Sequence, residues 1–554
     1  MRPPRTDAER RALHNELPNP TLFDGSPSAQ GHFGSSKQAS TWLEGPSPGN
    51  LSVQILDLEN QLGKYVGTSP WHVVSTRRYL ERKAVTIWGA TLTDAYRIIV
   101  DGERFEATDR FAINRFPISL PWNLFAADDG RVFVPDPAGR RLRPGRTSGP
   151  TLLVLSDDPN GSGRLDQGIN LLQAVELDED ALRAACRPPR SATLVKGETG
   201  SNFRPGFNGE IITKVVYKLD DGEIRSYLVA LDTQFEIIAG GEIGPTAPSN
   251  DIPAEPDGPG RTAFYVATDV AIVKMVFDSS RRTMERRWTV QLPIRGRFGT
   301  TPTLMNTPDG ERFVIAVDAK AAVVSGFNGL IAYSPDTRPN ALIAVRRDDQ
   351  IGGKPRVITF ELPEWLGAIE NSPAVRGGVA VITNYTGYLP NGLAIPPGGQ
   401  APPAKAASWG QSPDARPEFA TGVLAVAYAP ALDSFEILWQ RPDIQYSGIA
   451  TISESSNIVY GAGAEWESGM TYFYGLRLLD DANGRGGELI IREELGVAPF
   501  REPRRDRRGN FGFERSDYRF AEGEFFDAGN SLIILEDGSA IVNGGRALAR
   551  IRAR

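Results

Sequence analysis

The feature that most constrains the fold of this chain is a weak internal repeat of short apolar segments, separated by turns and closed by a charged hairpin. The clearest copies are residues 262–292, 421–441 and 455–494. Val, Ile, Tyr and Phe dominate these segments and Gly, Asp, Asn and Pro interrupt them, which is typical of β-strands rather than helices. A single small sheet cannot bury both of its faces, so the repeated units must pack against one another.

We therefore expect an all-β chain that forms a single β-propeller of about eight four-stranded blades, with seven blades as the alternative. The 58 Gly and 42 Pro residues fit many short strands joined by turns. Residues 1–50 are polar and lack periodicity, so they are predicted to form an N-terminal arm or lid, and residues 51–554 the propeller. Residues 390–417 are a long Pro-, Gly- and Ala-rich insertion. The C-terminal end supplies too few strands for a blade, so an N-terminal strand is predicted to close the ring.

Net charge and hydropathy restrict the classes of molecule that this chain is expected to bind. The net charge of −7 argues against nucleic-acid binding, which needs a basic face. No segment has the length and apolar character of a membrane span, so no membrane partner is expected. The chain is expected to be soluble, cytoplasmic as it stands, or extracytoplasmic if a signal peptide has been removed. A small-molecule ligand is the expected partner, and the oligomeric state is left open.

The blades resemble the quinoprotein-like superfamily of bacterial β-propellers, whose PQQ-type repeats end in a Trp-bearing outer strand. The resemblance rests on residues 274–288, 431–440 and 534–552. The alcohol dehydrogenases of that superfamily hold a quinone cofactor beside adjacent cysteines, together with Ca²⁺. This chain has one cysteine, Cys186, so a quinone dehydrogenase is not expected. Cys186 is expected to be an inert thiol, because no histidine near it in sequence could activate it.

Metal chemistry based on imidazole is restricted by the positions of the three histidines, which all precede the first clear blade: His14, His32 and His72. A histidine-rich centre drawn from several blades is therefore not expected. Oxygen ligands alternate before Gly163 as in the first half of a calcium loop, so Asp158, Asn160 and Ser162 are candidate ligands of a structural calcium. The residue at the twelfth position is Ile169 rather than Glu, which favours a plain Asp-Pro-Asn-Gly turn as the explanation of the same residues. The sequence identifies no other cofactor.

Candidate site residues follow from position, because polar residues just ahead of the innermost strands converge near the axis of a propeller. Three are predicted to carry acid–base chemistry: Glu370, Tyr446 and Asp527. Glu370 lies between apolar segments, where desolvation would raise a carboxyl pKa toward that of a general base. Six are predicted to bind the ligand: Arg204 as an anion anchor, Asn371, Thr301, Asn123, Trp122, and His32 in the arm. Ordinary turn chemistry is the alternative for any single member.

Two functions are open at this stage. The sequence favours a small-molecule enzyme with an axial funnel, acting through carboxylate and Tyr acid–base chemistry as a lyase, isomerase or hydrolase, or as an oxidoreductase with an organic cofactor. The alternative is a non-catalytic propeller that binds a ligand or a protein partner on its face. Paired ionisable groups with shifted pKa values would indicate the first function, and aromatic and Arg anchors the second.

Overall fold

The computed structural model describes residues 19–22, 34–62, 73–75, 85–90, 94–113, 124–136, 150–158, 168–196, 199–200, 202–246, 251–293, 300–318, 321–325, 330–333, 339–351, 354–363, 365–366, 369, 372–383, 422–444, 449–465, 470–479, 486–497, 504–505, 511–512, 532–544 and 547–554. The chain divides into two compact units. Unit 1 comprises Met1–Asn15, Gln38–Asp57 and Leu292–Arg554, and unit 2 comprises Glu16–Lys37 and Leu58–Gln291.

Unit 1 contains four larger sheets. One combines β20 (Thr303–Asn306), β21 (Arg312–Asp318), β24 (Ala341–Ile351) and β25 (Lys354–Glu361), and the next has β26 (Ala374–Arg376), β27 (Val379–Thr383), β28 (Val423–Ala429) and β29 (Ser434–Arg441). The third has β30 (Thr451–Ser453), β31 (Ile458–Glu465), β32 (Met470–Arg477) and β33 (Leu489–Val497), joined by β1 (Ser40–Thr41). The fourth has β36 (Leu532–Ile534), β37 (Ala540–Gly544), β38 (Ala547–Ala553) and β2 (Leu51–Asp57). Two short pairs complete the unit: β22 (Ala321–Ser325) with β23 (Leu330–Tyr333), and β34 (Arg504–Arg505) with β35 (Phe511–Gly512).

Unit 2 also contains four sheets, and their paired strands are antiparallel. The first has β3 (Val73–Ser75), β4 (Val85–Ala90), β5 (Asp94–Asp101) and β6 (Arg104–Ala112), and the second β7 (Phe125–Ala126), β8 (Arg131–Asp136), β9 (Thr151–Ser156) and β10 (Asn170–Glu176). In the third, β13 (Ile211–Lys218), β14 (Ile224–Leu231) and β15 (Ile237–Gly244) are joined by β11 (Thr193–Leu194) and β12 (Phe203–Pro205), which both pair with β13. The fourth has β16 (Ala254–Pro256), β17 (Arg261–Ala267), β18 (Ala271–Asp278) and β19 (Thr283–Gln291).

The sheets make this chain an eight-bladed β-propeller, which confirms the predicted fold class. Within each blade the strands pair mainly in chain order, so the first strand is the inner strand and the last is the outer one. The predicted closure of the C-terminal blade is also confirmed, because β2 pairs antiparallel with β38 from Leu51↔Ala553 to Asp57↔Ala547. The N-terminal strand thus covers what would otherwise be an unpaired sheet edge.

Apolar side chains between neighbouring blades form the cores of each unit. In unit 1, one buried cluster includes Phe313, Leu342 and Leu424, from two successive blades. In unit 2, Phe264 and Ile212 belong to an equivalent cluster. In these clusters a blade buries one face against its neighbour in the same unit, as the repeat pattern requires.

Helices are short in the described part of the chain. They are α1 (Leu58–Leu62) and α2 (Glu179–Cys186), and neither is long and apolar enough to cross a membrane. The Asp178 carboxylate caps α2 by accepting a 2.8 Å hydrogen bond from the Ala181 amide. Burial raises the pKa of the Cys186 thiol to about 12, so this thiol is protonated at neutral pH and is a poor nucleophile.

The closing strand β2 allows a matched test of its packing. Leu56 is 1% exposed and Ile55 on the same strand is 39% exposed. Leu56→Ala is expected to lower the free energy of unfolding by about 2–5 kcal/mol, because it leaves a cavity in the core. Ile55→Ala should cost less than about 1 kcal/mol. Urea unfolding of both variants measures the difference, and equal small effects would show that β2 does not pack as described.

Candidate functional site

A segment of the N-terminal arm lies against inner strands in each unit. Residues 34–37 belong to unit 2 and residues 38–46 to unit 1. No residue from Ser35 to Thr41 is more than 5% exposed, although almost all of these side chains are polar. Burial of so many polar groups requires partners for them, and the inner strands supply many of these partners.

In unit 2 the arm is held by backbone and amide hydrogen bonds. The Ala254 amide on β16 donates to the Ser35 carbonyl at 2.9 Å. The Asn19 side-chain amide donates to Ser35 Oγ at 2.9 Å and to the Pro205 carbonyl on β12 at 3.2 Å. The arm therefore contacts the inner strands of two blades of this unit.

A buried ion triad joins the same segment to those blades. Asp251 Oδ2 accepts from Lys37 Nζ at 2.9 Å and from Arg204 Nη2 at 2.7 Å, while Arg204 Nε pairs with Oδ1. The three side chains are at most 1% exposed. Removing one member of such a cluster leaves uncompensated charge away from water. The triad thus fixes Lys37 of the arm to Asp251 and, through it, to β12.

Arg204 was predicted to be an anion anchor for a ligand. The structure places its guanidinium in a bidentate ion pair with Asp251, and its Nη1 donates to the Phe203 carbonyl at 2.9 Å. Arg204 therefore holds the Asp251 carboxylate in place, and Asp251 in turn binds Lys37 of the arm.

In unit 1 the arm begins with Gln38. The Gln38 side-chain amide donates to the Leu304 carbonyl on β20 at 3.0 Å, and the Val375 amide on β26 donates to the Gln38 carbonyl at 2.7 Å. Both partners lie on first strands of successive blades. One arm residue therefore contacts the inner strands of two blades through its side chain and its backbone.

The next residues form β1, which runs parallel to β30. The Ile452 amide donates to the Ala39 carbonyl at 3.0 Å, and the Glu454 amide donates to the Thr41 carbonyl at 2.8 Å. β1 therefore adds a short strand to the inner edge of a blade that already has four antiparallel strands of its own.

Serine hydroxyls at the end of β30 and just beyond it add further hydrogen bonds to the arm. Ser453 Oγ donates to the Leu43 carbonyl at 2.6 Å, and Ser455 Oγ donates to the Trp42 carbonyl. These donors are aimed at backbone carbonyls, so they hold the path of the arm whatever side chains the arm carries.

Tyr460 and Ser456 hold the far end of the segment. The Tyr460 hydroxyl donates to the Pro46 carbonyl at 2.8 Å, and the Gly45 amide donates to Ser456 Oγ at 3.1 Å. Burial raises the pKa of the Tyr460 phenol, so it keeps its proton and acts as a donor across the physiological range.

Most of the predicted site residues lie outside the described residues: Glu370, Tyr446, Asp527, Asn371, Asn123, Trp122, His32, Asn160 and Ser162. Their convergence on one pocket stays a prediction. Thr301 is buried ahead of β20, and its amide donates to Ser372 Oγ at 2.8 Å. Asp158 is half-buried, and its amide donates to Ser156 Oγ at 3.0 Å. Among the residues with described positions, no group of three or more His, Cys, Asp and Glu side chains could hold a metal ion.

Two carboxyls of unit 1 show pKa values below the ordinary range. The Arg441 side chain donates hydrogen bonds to Asp443 and lowers its pKa. Burial would raise the pKa of Asp537, but hydrogen bonds from Ser539 and Arg550 outweigh it and lower the pKa. Such carboxylates are stabilised as anions, which suits ion pairs and is opposite to the raised pKa of a general acid or base.

Sequence reasoning missed the residues that hold the arm. Lys37 and Asp251 lie in polar segments without periodicity, and their pairing is set by tertiary structure. The available signal was the hydroxyl-rich segment with Ser453, Ser455 and Ser456, because it begins at the last residue of the inner strand β30.

Neither a protein-family model nor a curated protein matches this sequence. Solved β-propellers do match its structure. The Dos1 propeller is 10% identical with a TM-score of 0.42, and the match covers 92% of this chain and 95% of that chain. Sqt1 of Saccharomyces cerevisiae is 9% identical with a TM-score of 0.43, covering 86% and 94%. A 6-phosphogluconolactonase-like protein of Bacteroides uniformis is 13% identical with a TM-score of 0.34, covering 72% and 90%. These similarities concern the fold alone.

The ion triad can be tested by removing its negative charge. Asp251→Asn preserves shape but leaves Lys37 and Arg204 without their shared carboxylate, so we expect a loss of about 3–5 kcal/mol in the free energy of unfolding. Asp443→Asn is the control, because the Asp443 side chain is 60% exposed beside Arg441 and should cost about 0–1 kcal/mol. Urea unfolding at neutral pH measures both, and equal losses would contradict the buried triad.

Proposed function

We propose that this chain is a protein-binding propeller scaffold, the second of the two functions open from the sequence. The observation that supports this proposal is that several inner strands of each unit, among them β16, β20, β26 and β30, are hydrogen-bonded to the chain's own arm. Small-molecule sites need concave, accessible groups. Inner-strand amides that already donate to the arm, such as those of Ala254, Val375 and Ile452, are not available to a small ligand.

The electrostatics of the described residues agree with a scaffold. Arg204, the predicted anion anchor, is paired with Asp251. Asp443 and Asp537 have lowered pKa values and take part in ion pairs with Arg441 and Arg550. Ionised carboxylates in fixed pairs stabilise hairpins and loops, whereas proton transfer near neutral pH requires a group with a pKa close to that range.

The quinoprotein-like resemblance is also compatible with a scaffold, because it concerns how blades are built. Trp439 on the outer strand β29 is buried, and its indole Nε1 donates to the Leu478 carbonyl of the following blade at 2.8 Å. A tryptophan that joins two blades supports the repeat architecture and carries no chemistry. The competing enzyme function depends on Glu370, Tyr446 and Asp527, which lie outside the described residues.

The test is to recover the full chain, tagged and crosslinked with formaldehyde, from the cells that make it. We expect a complex larger than the 60.3 kDa chain, with one protein partner in a fixed ratio. Glu370→Gln should bind the same partner in the same ratio, since a scaffold does not use a proton-transfer group. The tag expressed alone is the control for adventitious capture.

A parallel thermal-shift screen against sugars, sugar phosphates and carboxylic acids addresses the enzyme alternative. A scaffold should show no stabilisation by these compounds. Stabilisation by one of them, together with turnover that falls about 100-fold or more in Glu370→Gln, would overturn the proposal in favour of an enzyme.

A further inference from the structure

The inner edge of the β30–β33 blade carries an inference about the ligand. We propose that this edge is a binding site for an extended segment of a partner protein, and that residues 38–46 of the chain itself occupy the site as an internal substitute. The inference rests on the protein-binding function proposed above and names the chemistry of the ligand.

The β30–β33 blade is complete without the arm. Its four strands, β30 to β33, pair antiparallel with one another, and none of these pairings involves β1. The arm adds only two paired positions, Ser40↔Ile452 and Thr41↔Ser453, in parallel orientation. This arrangement corresponds to strand addition at a sheet edge, a common mode of peptide recognition.

The hydrogen bonds at this edge are made to backbone carbonyls of the bound segment. The amides of Ile452 and Glu454 donate to two of its carbonyls, and the hydroxyls of Ser453 and Ser455 donate to two others. Main-chain hydrogen bonds of this kind supply affinity for any extended segment. These four hydrogen bonds therefore do not restrict the side chains of the bound segment.

The internal segment fits the site imperfectly. Ser40 Oγ is buried and has no hydrogen-bond partner, which is unfavourable for a hydroxyl removed from water. Ala39 has a φ of 48°, in the left-handed region that a residue with a Cβ atom adopts at a cost. A partner segment without these two defects would gain affinity over the internal one.

Side-chain specificity is set further along the segment. Leu43 is 7% exposed and belongs to a buried cluster with Tyr460 and Phe473. A Cβ atom on Gly45 would lie 2.5 Å from the Tyr460 ring, so this position accepts only glycine. The Tyr460 hydroxyl binds the Pro46 carbonyl that follows. The expected ligand therefore carries a leucine, a variable residue and then a glycine.

The experiment uses the full chain with a weakened internal segment. Leu43→Ala combined with Gly45→Ala removes the apolar anchor and adds a methyl group against the Tyr460 ring. The probe is a fluorescein-labelled peptide with the native sequence of residues 38–48, followed by fluorescence anisotropy. We expect the double variant to bind the peptide at least about 10-fold more tightly than the wild-type chain, in which the tethered segment competes at high effective concentration.

Two matched controls test the assignment of the site. A peptide with Gly45→Ala should bind the double variant at least about 10-fold more weakly than the native peptide. Ser453→Ala added to the double variant should weaken binding of the native peptide, because it removes the donor to the Leu43 carbonyl. Should the double variant fail to fold, Gly45→Ala alone serves as the receptor, since Leu43 then stays in the buried cluster.

Three results would overturn the proposal. They are no saturable binding, equal binding of the native and Gly45→Ala peptides, or dimerisation of the chain by exchange of arms in place of peptide binding, which size-exclusion chromatography would detect. Failure of this site is distinguishable from failure of the scaffold function. If the partner complex from cells still forms while the peptide does not bind, the site is wrong and the function stands.

Discussion

Backbone carbonyls of the N-terminal arm accept hydrogen bonds from inner-strand amides. This interaction pairs the backbone of those strands and buries the arm against them. In unit 1 the Gln38 carbonyl accepts a hydrogen bond from the Val375 amide. The Ala39 carbonyl accepts from the Ile452 amide, and the Thr41 carbonyl accepts from the Glu454 amide. An inner strand without such partners would present unpaired amides. The arm satisfies them, and its own polar side chains are buried as a consequence.

The two ends of the residues 38–57 segment serve different purposes in unit 1. Its first part follows β30 on an inner edge, and its last part, β2, pairs with β38 on an outer edge. The outer pairing is apolar and regular, with Leu56 buried, and it closes a blade that has only three other strands. The inner pairing is polar and short, and it joins a blade that is already complete. The pairing of β2 with β38 is therefore a structural closure of the blade. The pairing of β1 with β30 is the contact that a partner segment could replace.

The fold was predictable from sequence because blade formation leaves a pattern. Nearly continuous apolar runs in strands such as β18 and β28 predicted the blades, and the shortage of strands at the C-terminal end predicted closure by an N-terminal strand. The arm contacts were not predictable, because backbone carbonyls carry no sequence signal and the partners Lys37 and Asp251 lie far apart in the chain. Arg204 lies on β12, and its ion pair with Asp251 depends on a connector whose path the sequence does not reveal.

The most direct measurement of the central claim is native-state hydrogen exchange of the segment that includes the Ile452 and Glu454 amides, in the intact chain. If the arm carbonyls of Ala39 and Thr41 accept from these amides, both should exchange slowly, on the timescale of the neighbouring β31 core amides. Exchange of both amides at the rate of unstructured peptide, with β31 still protected, would show that the arm does not occupy the inner edge of this blade.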